Sequence, residues 1–261
     1  MEPTSPAPPS GERGTPAASL VVFRRSSAGG PPELLFLVRS AAMRFAASAT
    51  VFPGGRVDEA DRALAQARFA GSVDLADTAS RIAAIRETLE EAGLAIGVDR
   101  AVSAGEAAEA RELLLAEGAL APVLDRFDWS LDLARLTPFA RWNPNRPRAF
   151  DTRFYLADLG TGAVDLDVDG TEHGELLWLT AADALVGAGS GKLRMLFPTL
   201  CNLARLAQYA DFAQARADAA QWPQPVISPW VEEIDGRPWI VIPDHIGYPM
   251  NRIPEDEAVR G

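Results

Sequence analysis

Arg86-Glu87-Thr88-Leu89-Glu90-Glu91-Ala92-Gly93-Leu94 is the stretch that decides how this chain is read. It closes a predicted helix over residues 77–93, in which Asp77 or Thr78 can cap the start and Gly93 stands where a left-handed residue ends a helix. Ile82, Ile85, Leu89 and Ala92 recur at steps of three and four and form an apolar stripe, while Glu87, Glu90 and Glu91 project to the opposite side. Like charges at i and i+4, here Glu87 and Glu91, disfavour a helix by about 0.2–0.5 kcal/mol. Two readings follow. The three glutamates are a solvated acidic face, with Arg86 offsetting part of the repulsion through Glu90. Alternatively they are a one-sided cradle for Mg²⁺ or Mn²⁺, which prefer carboxylate oxygens and keep waters for a substrate phosphate.

The rest of the chain limits the choice. Its 261 residues are 48% hydrophobic and 23% charged, enough for one substantial core. With 25 Lys+Arg against 36 Asp+Glu the net charge is −11, which disfavours nucleic acid as a partner. One cysteine, Cys201, excludes an intramolecular disulfide and a cysteine-rich zinc site, so any metal is held by oxygen or histidine. No run reaches the ~18–20 apolar residues of a membrane-spanning helix, and neither a signal-peptide order nor a terminal Ser-Lys-Leu is seen. The expected setting is cytoplasmic, without a membrane partner.

Residues 1–17, rich in proline, read as a disordered tail ahead of a single domain over 18–261. Ser19–Phe23 and Leu34–Val38 read as a hairpin around Gly29-Gly30-Pro31-Pro32, and Ala49–Phe52 as a short strand running into Pro53-Gly54-Gly55. Ser103–Gly118 is a second helix with Ser103 and Glu106 at capping-box spacing. Thr137–Trp142, Thr152–Ala157 and Glu175–Leu179 complete a mixed sheet. Thr180–Leu185 is a short helix, and Phe197 to about Gln221 a long one suited to a dimer surface or a lid, with Pro198 in its first turn. Trp230–Ile234 and Pro238–Ile242 flank Asp235-Gly236 as a hairpin with a type I′ turn. The fold class is α/β (α+β).

The stretch from Arg86 to Leu94 resembles the second half of the Nudix box, Arg-Glu-apolar-x-Glu-Glu-x-Gly-apolar, with Thr88 at a position usually aliphatic. In the first half, Ser72 and Thr78 stand where the usual spacing puts glycine and glutamate. The glycine appears instead at Gly54-Gly55, which implies an insertion of about residues 58–76. Asp58, Glu59 and Asp61 are candidates for the displaced acid. Such expanded boxes are similar to those of the coenzyme A diphosphatase branch. The segment Arg39-Ser40…Arg44…Ser48…Phe52-Pro53-Gly54-Gly55 is similar to the signature of coenzyme A-cleaving members, Arg-Ser-x3-Arg-x3-Gly-x3-Phe-Pro-Gly-Gly, with Ser48 for its first glycine.

The resemblance implies a Nudix-type α/β/α sandwich with a mixed β-sheet and an added C-terminal helical segment at about 197–221. It implies a Mg²⁺- or Mn²⁺-dependent hydrolase of a nucleoside diphosphate-linked small molecule. Coenzyme A or acyl-CoA leads; NADH, ADP-ribose, a nucleoside triphosphate and a non-catalytic nucleotide-binding module stay open. By the family pattern Glu87, Glu90 and Glu91 take the metal, Glu91 most firmly. Glu87 can double as base, Arg86 orients the carboxylates, and a Gly54 or Gly55 carbonyl completes the shell. Glu172, or else Glu175, is the acid from a later loop. Arg39 and Arg44 either bind substrate phosphate bidentately or pair with surface carboxylates. Arg146, Arg148 and Arg153 face the same choice. Phe52 and Trp142 either stack a base or pack in the core.

Overall fold

The computed structural model describes residues 14–26, 29–40, 48–144, 149–160, 173–222 and 225–258. The N-terminal half contains β1 (Thr15–Arg24), β2 (Glu33–Arg39), β3 (Thr50–Val51), β4 (Gly54–Arg56), α1 (Glu59–Arg68), α2 (Leu75–Ala92), α3 (Ala104–Glu117) and α4 (Leu120–Phe127). After a 3-10 turn at Leu133–Arg135 follow β5 (Thr137–Trp142), β6 (Phe150–Asp158), β7 (His173–Thr180), α5 (Ala181–Gly189), α6 (Phe197–Leu206) and α7 (Phe212–Gln221). The chain ends in β8 (Val226–Ile227), β9 (Trp230–Ile234), β10 (Arg237–Val241) and β11 (Arg252–Pro254).

The main sheet is mixed, in the order β3-β2-β1-β6-β5-β8, with β4 on β1 and β7 on β2. β1 runs parallel to β6 from Thr15↔Phe150 to Phe23↔Asp158, and β7 lies antiparallel along β2. Alternation along β1 sorts its side chains between two cores. Ala18, Leu20 and Val22 join Ile82, Ile85 and Leu89 of α2 and the buried residues of α3 and α4, while Val21 and Phe23 join Phe139, Cys201, Leu203 and Ala215 on the side of α5, α6 and α7. Helices therefore cover both faces, as expected for an α/β/α sandwich. β9, β10 and β11 form a separate antiparallel sheet. Among the described residues no helix is long and apolar enough to cross a membrane.

Several boundaries differ from the sequence reading. Thr15, Pro16 and Ala17, read from the sequence as part of the tail, belong to β1, which is paired on both sides even there: Thr15 N–H donates to Ala149 O, and the Pro16 carbonyl accepts from Val57 N–H. Proline is tolerated because its carbonyl, not a missing N–H, makes that bond. α2 begins at Leu75 with Asp74 as its cap, accepting from Asp77 N–H at 2.9 Å, instead of starting at 77. The long helix of 197–221 is two helices: α6 stops at Leu206, and Asp211 caps α7 by accepting from Gln214 N–H. The span assigned to the insertion is itself helical in α1, whose Asp58 and Asp61 make a reciprocal capping box. Ser103 and Gly118 stand at the ends of α3 as expected, and Asp235-Gly236 has positive φ at both turn residues.

Candidate active site

β1 and β2 part at the end of the sheet where the Pro53-Gly54-Gly55 turn sits. The chain pairs with β2 through β3, crosses at Phe52-Pro53, and pairs with β1 through β4. At Gly54, with φ +153, a Cβ would lie 2.3 Å from Ala18 O; at Gly55 it would lie 2.3 Å from Glu87 Oε1. The two glycines let the loop press between β1 and the C-terminal half of α2. Gly54 N–H donates to Glu91 Oε2 at 2.8 Å. Glu87 and Glu91 are thus held against the loop that the sequence reading singled out.

Arg86 ties the carboxylates to the inserted helix. It is 4% exposed. Its Nε and Nη2 donate to the two Asp61 oxygens, both at 3.0 Å, its Nη1 to Glu87 at 2.9 Å and Glu90 at 3.4 Å, and its Nη2 also to Arg56 O. Burial works against its charge, but the Asp61 hydrogen bonds and the charges of Glu87, Asp61 and Asp58 raise its pKa, so the guanidinium stays protonated. Asp61 is 1% exposed and also accepts from Asp58 N–H. Of the three acids considered for the displaced position, Asp61 is the one that reaches the arginine bidentately, with Asp58 at 3.5 Å.

Two departures from the family pattern have local reasons. Thr88 is fully buried, and its hydroxyl donates to Ala84 O at 2.7 Å, so a helix carbonyl satisfies the polar atom that an aliphatic residue would lack. Ser48 has φ +57, the left-handed region that a glycine adopts freely.

The donor set suits a hard divalent cation: three carboxylates within five residues of one helix, and oxygen only. Their crowding registers at Glu87. Burial, opposed by the Arg86 charge and reinforced by Glu91 and Glu90, pushes its carboxyl up to about 8, and a nearby cation would reverse that trend. Among the described residues no three acidic, histidine or cysteine side chains are gathered as a metal-binding group. Glu87 and Glu90 are turned to Arg86, and Glu91 to Gly54 N–H. Each of these contacts engages one oxygen of its carboxylate.

The other sequence candidates divide. Arg39 lies at the same end of the sheet, its N–H donating to Ala49 O at 2.9 Å, with its Nε buried and without a hydrogen-bond partner among the described residues. Arg44, Glu172, Arg146 and Arg148 lie outside the described residues. Glu175, the alternative to Glu172, alternates with Leu176 and Trp178 and so shares the sheet face of Leu177 and Leu179, away from α2. Arg153 pairs with Asp77 at 2.8 Å and Asp74 at 3.4 Å, and Arg141 takes Asp151, so these cations are committed to the scaffold. Phe52 stacks on Phe36 in the core, and Trp142 is 1% exposed. Cys201 is buried, which raises its thiol pKa and leaves it inert.

The sequence reading missed Arg111. From α3 its Nε donates to Glu90 O at 2.8 Å and closes the end of α2 that carries the acids. Nothing in the local sequence marked it, because its partner is 21 residues away.

No family model matches the chain. Among curated proteins it is similar to the acyl-coenzyme A diphosphatase NUDT19 of Gallus gallus, at 27% identity, the match covering 69% of this chain and 62% of that protein. The chain thus spans less than two thirds of that relative's length. Among solved structures it is similar to the NUDIX hydrolase from Alicyclobacillus acidocaldarius, at 30% identity and a TM-score of 0.65, covering 78% of this chain and 96% of that one.

Proposed function

Because this chain belongs to the Nudix hydrolase family, whose members act on diphosphate bonds, we propose that it cleaves coenzyme A or an acyl-CoA at the diphosphate. The products are 3′,5′-ADP and 4′-phosphopantetheine or its acyl derivative. The observation that carries the reading is the docking of Glu87 and Glu91 on Gly54-Gly55, which joins the acidic face of α2 to the end of the Arg39–Gly55 signature. The name of the Gallus gallus relative agrees with that substrate class.

In this reading Glu87, Glu90 and Glu91 hold Mg²⁺ or Mn²⁺. When bound, the cation supplies neutralisation of diphosphate oxygens and acidifies attacking water. The chain's own residues do the rest. Arg86, fixed by Asp61, sets the rotamers of Glu87 and Glu90. Glu87 takes the proton of the water that attacks phosphorus, as that water's oxygen forms a new P–O bond and the bridging oxygen leaves. The glycines let substrate approach the backbone where a Cβ would block it. We read residues 18–261, extended by the Thr15–Ala17 start of β1, as one domain with about 58–76 inserted in the box and a C-terminal helical extension at about 197–221, and the molecule works in the cytoplasm, alone or as a homodimer.

The test is a chromatographic turnover assay with Mg²⁺ and with Mn²⁺, offering coenzyme A, an acyl-CoA, NADH, ADP-ribose and dGTP. Preferred release of 3′,5′-ADP from coenzyme A or its thioester is the expected result. Preference for another compound refutes the substrate assignment and leaves the hydrolase. No turnover with either metal, together with nucleotide binding, makes the protein a sensor instead.

A further inference from the structure

Arg194 was not marked by any motif, yet the fold brings it to the active-site end of the sheet. The loop ahead of α6 lies along the outer side of β3: Thr50 N–H donates to Arg194 O at 2.7 Å, and Ala49 and Arg194 form a parallel bridge. On its other side Ala49 O accepts from Arg39 N–H. Arg39, Ala49 and Arg194 are therefore neighbours across three adjacent backbone segments, and two strand-like spacings put the arginine backbones about 10 Å apart. Two guanidinium heads extended from that separation can meet on one anion.

The direction of Arg194 follows from its neighbours. Leu193 and Met195 pack into the core beneath α5–α7. Alternation sends Arg194 to the opposite face, on the side where α2 lies, and it is exposed there. Arg39 contributes the buried Nε that has no hydrogen-bond partner among the described residues, an uncommon condition for a guanidinium nitrogen, which an anion would remedy. Lys192, the single lysine of the chain, is exposed two residues before Arg194. In a chain of net charge −11 a phosphate is drawn only where cations are concentrated locally.

We propose that Arg39 and Arg194 form a subsite for a phosphate monoester, separate from the carboxylate face that handles the diphosphate. Resting on the coenzyme A reading above, it receives the substrate's 3′-phosphate and selects coenzyme A over 3′-dephospho-coenzyme A, which is otherwise the same molecule. Arg194 is the specificity-determining residue to test, since it is exposed and its removal leaves the core intact.

The experiment measures kcat/KM for coenzyme A and for dephospho-coenzyme A with the wild type, Arg194→Gln and Arg194→Glu, and the inhibition constants of 3′,5′-ADP and 5′-AMP for each. The wild type favours coenzyme A; Arg194→Gln lowers that preference about tenfold or more, Arg194→Glu lowers it further, and 3′,5′-ADP loses its advantage over 5′-AMP in parallel. If coenzyme A is cleaved but both ratios are unchanged in the variants, this subsite is refuted while the proposed activity stands. If the wild type cleaves neither compound, the coenzyme A reading itself fails and takes the subsite with it.

Discussion

Replacing Asp61 with alanine removes both oxygens that hold Arg86 from the inserted helix, in a pair whose side chains are 1% and 5% exposed. Breaking one partner of a buried ion pair costs about 3–5 kcal/mol, because the other charge is left without compensation. Here Arg86 keeps Arg56 O, Glu87 and Glu90 as partners and Asp58 nearby, which places the cost near the lower figure. For a domain of this size about 3 kcal/mol lowers the melting temperature by roughly 6–12 °C, read by calorimetry at neutral pH. Activity falls further than stability, since an unfixed Arg86 no longer orders Glu87 and Glu90. The double variant Asp61→Leu/Arg86→Met separates the two effects: an apolar pair restores much of the melting temperature while activity stays low. A melting temperature for Asp61→Ala within about 2 °C of the wild type, or full activity in the double variant, refutes the reasoning.

Gly55→Ala puts a methyl against the Glu87 carboxylate and is expected to lower kcat in the steady-state assay by about tenfold or more, with Gly54→Ala, which meets backbone at Ala18, also losing stability on thermal denaturation. Ser48→Gly relieves a left-handed side chain and raises the melting free energy by about 1 kcal/mol, measured by urea unfolding. Asp77 governs part of the acid limb. Burial would raise its pKa, but hydrogen bonds from Arg81 and Tyr155 and the charges of Arg81 and Arg153 hold it below 3.8. Its stabilisation is therefore complete above about pH 4 and lost as pH falls through the lowered folded value, so Asp77→Asn is less stable at neutral pH and shows a shallower loss in an acid titration followed by circular dichroism.

The fold was legible wherever a short-range pattern reports burial. The stripe Ile82-Ile85-Leu89-Ala92 is buried throughout, and β5, β6 and β7 fall on or around their expected spans. Glu87 and Glu91 lie against Gly54-Gly55, two segments that the sequence patterns singled out separately. What escaped depends on contacts distant in sequence. Asp61 stood among three interchangeable acids until α1 folded onto α2 and buried one of them. The break after Leu206 follows from Asp211 capping a new helix, a signal overshadowed by the continuous alanine-rich pattern. Arg111 and Arg194 lie beside neighbours that a linear reading does not bring together.

The most direct test of the central claim compares wild type and Glu91→Gln for Mg²⁺-dependent release of 3′,5′-ADP from coenzyme A, at matched melting temperature. Glu91 is 8% exposed and docked on Gly54, so the isosteric amide keeps the packing and removes the charge. The expected result is a folded protein with at least about a hundredfold lower kcat/KM. Turnover by Glu91→Gln within about twofold of the wild type would contradict the assignment of the α2 carboxylate face as the catalytic centre.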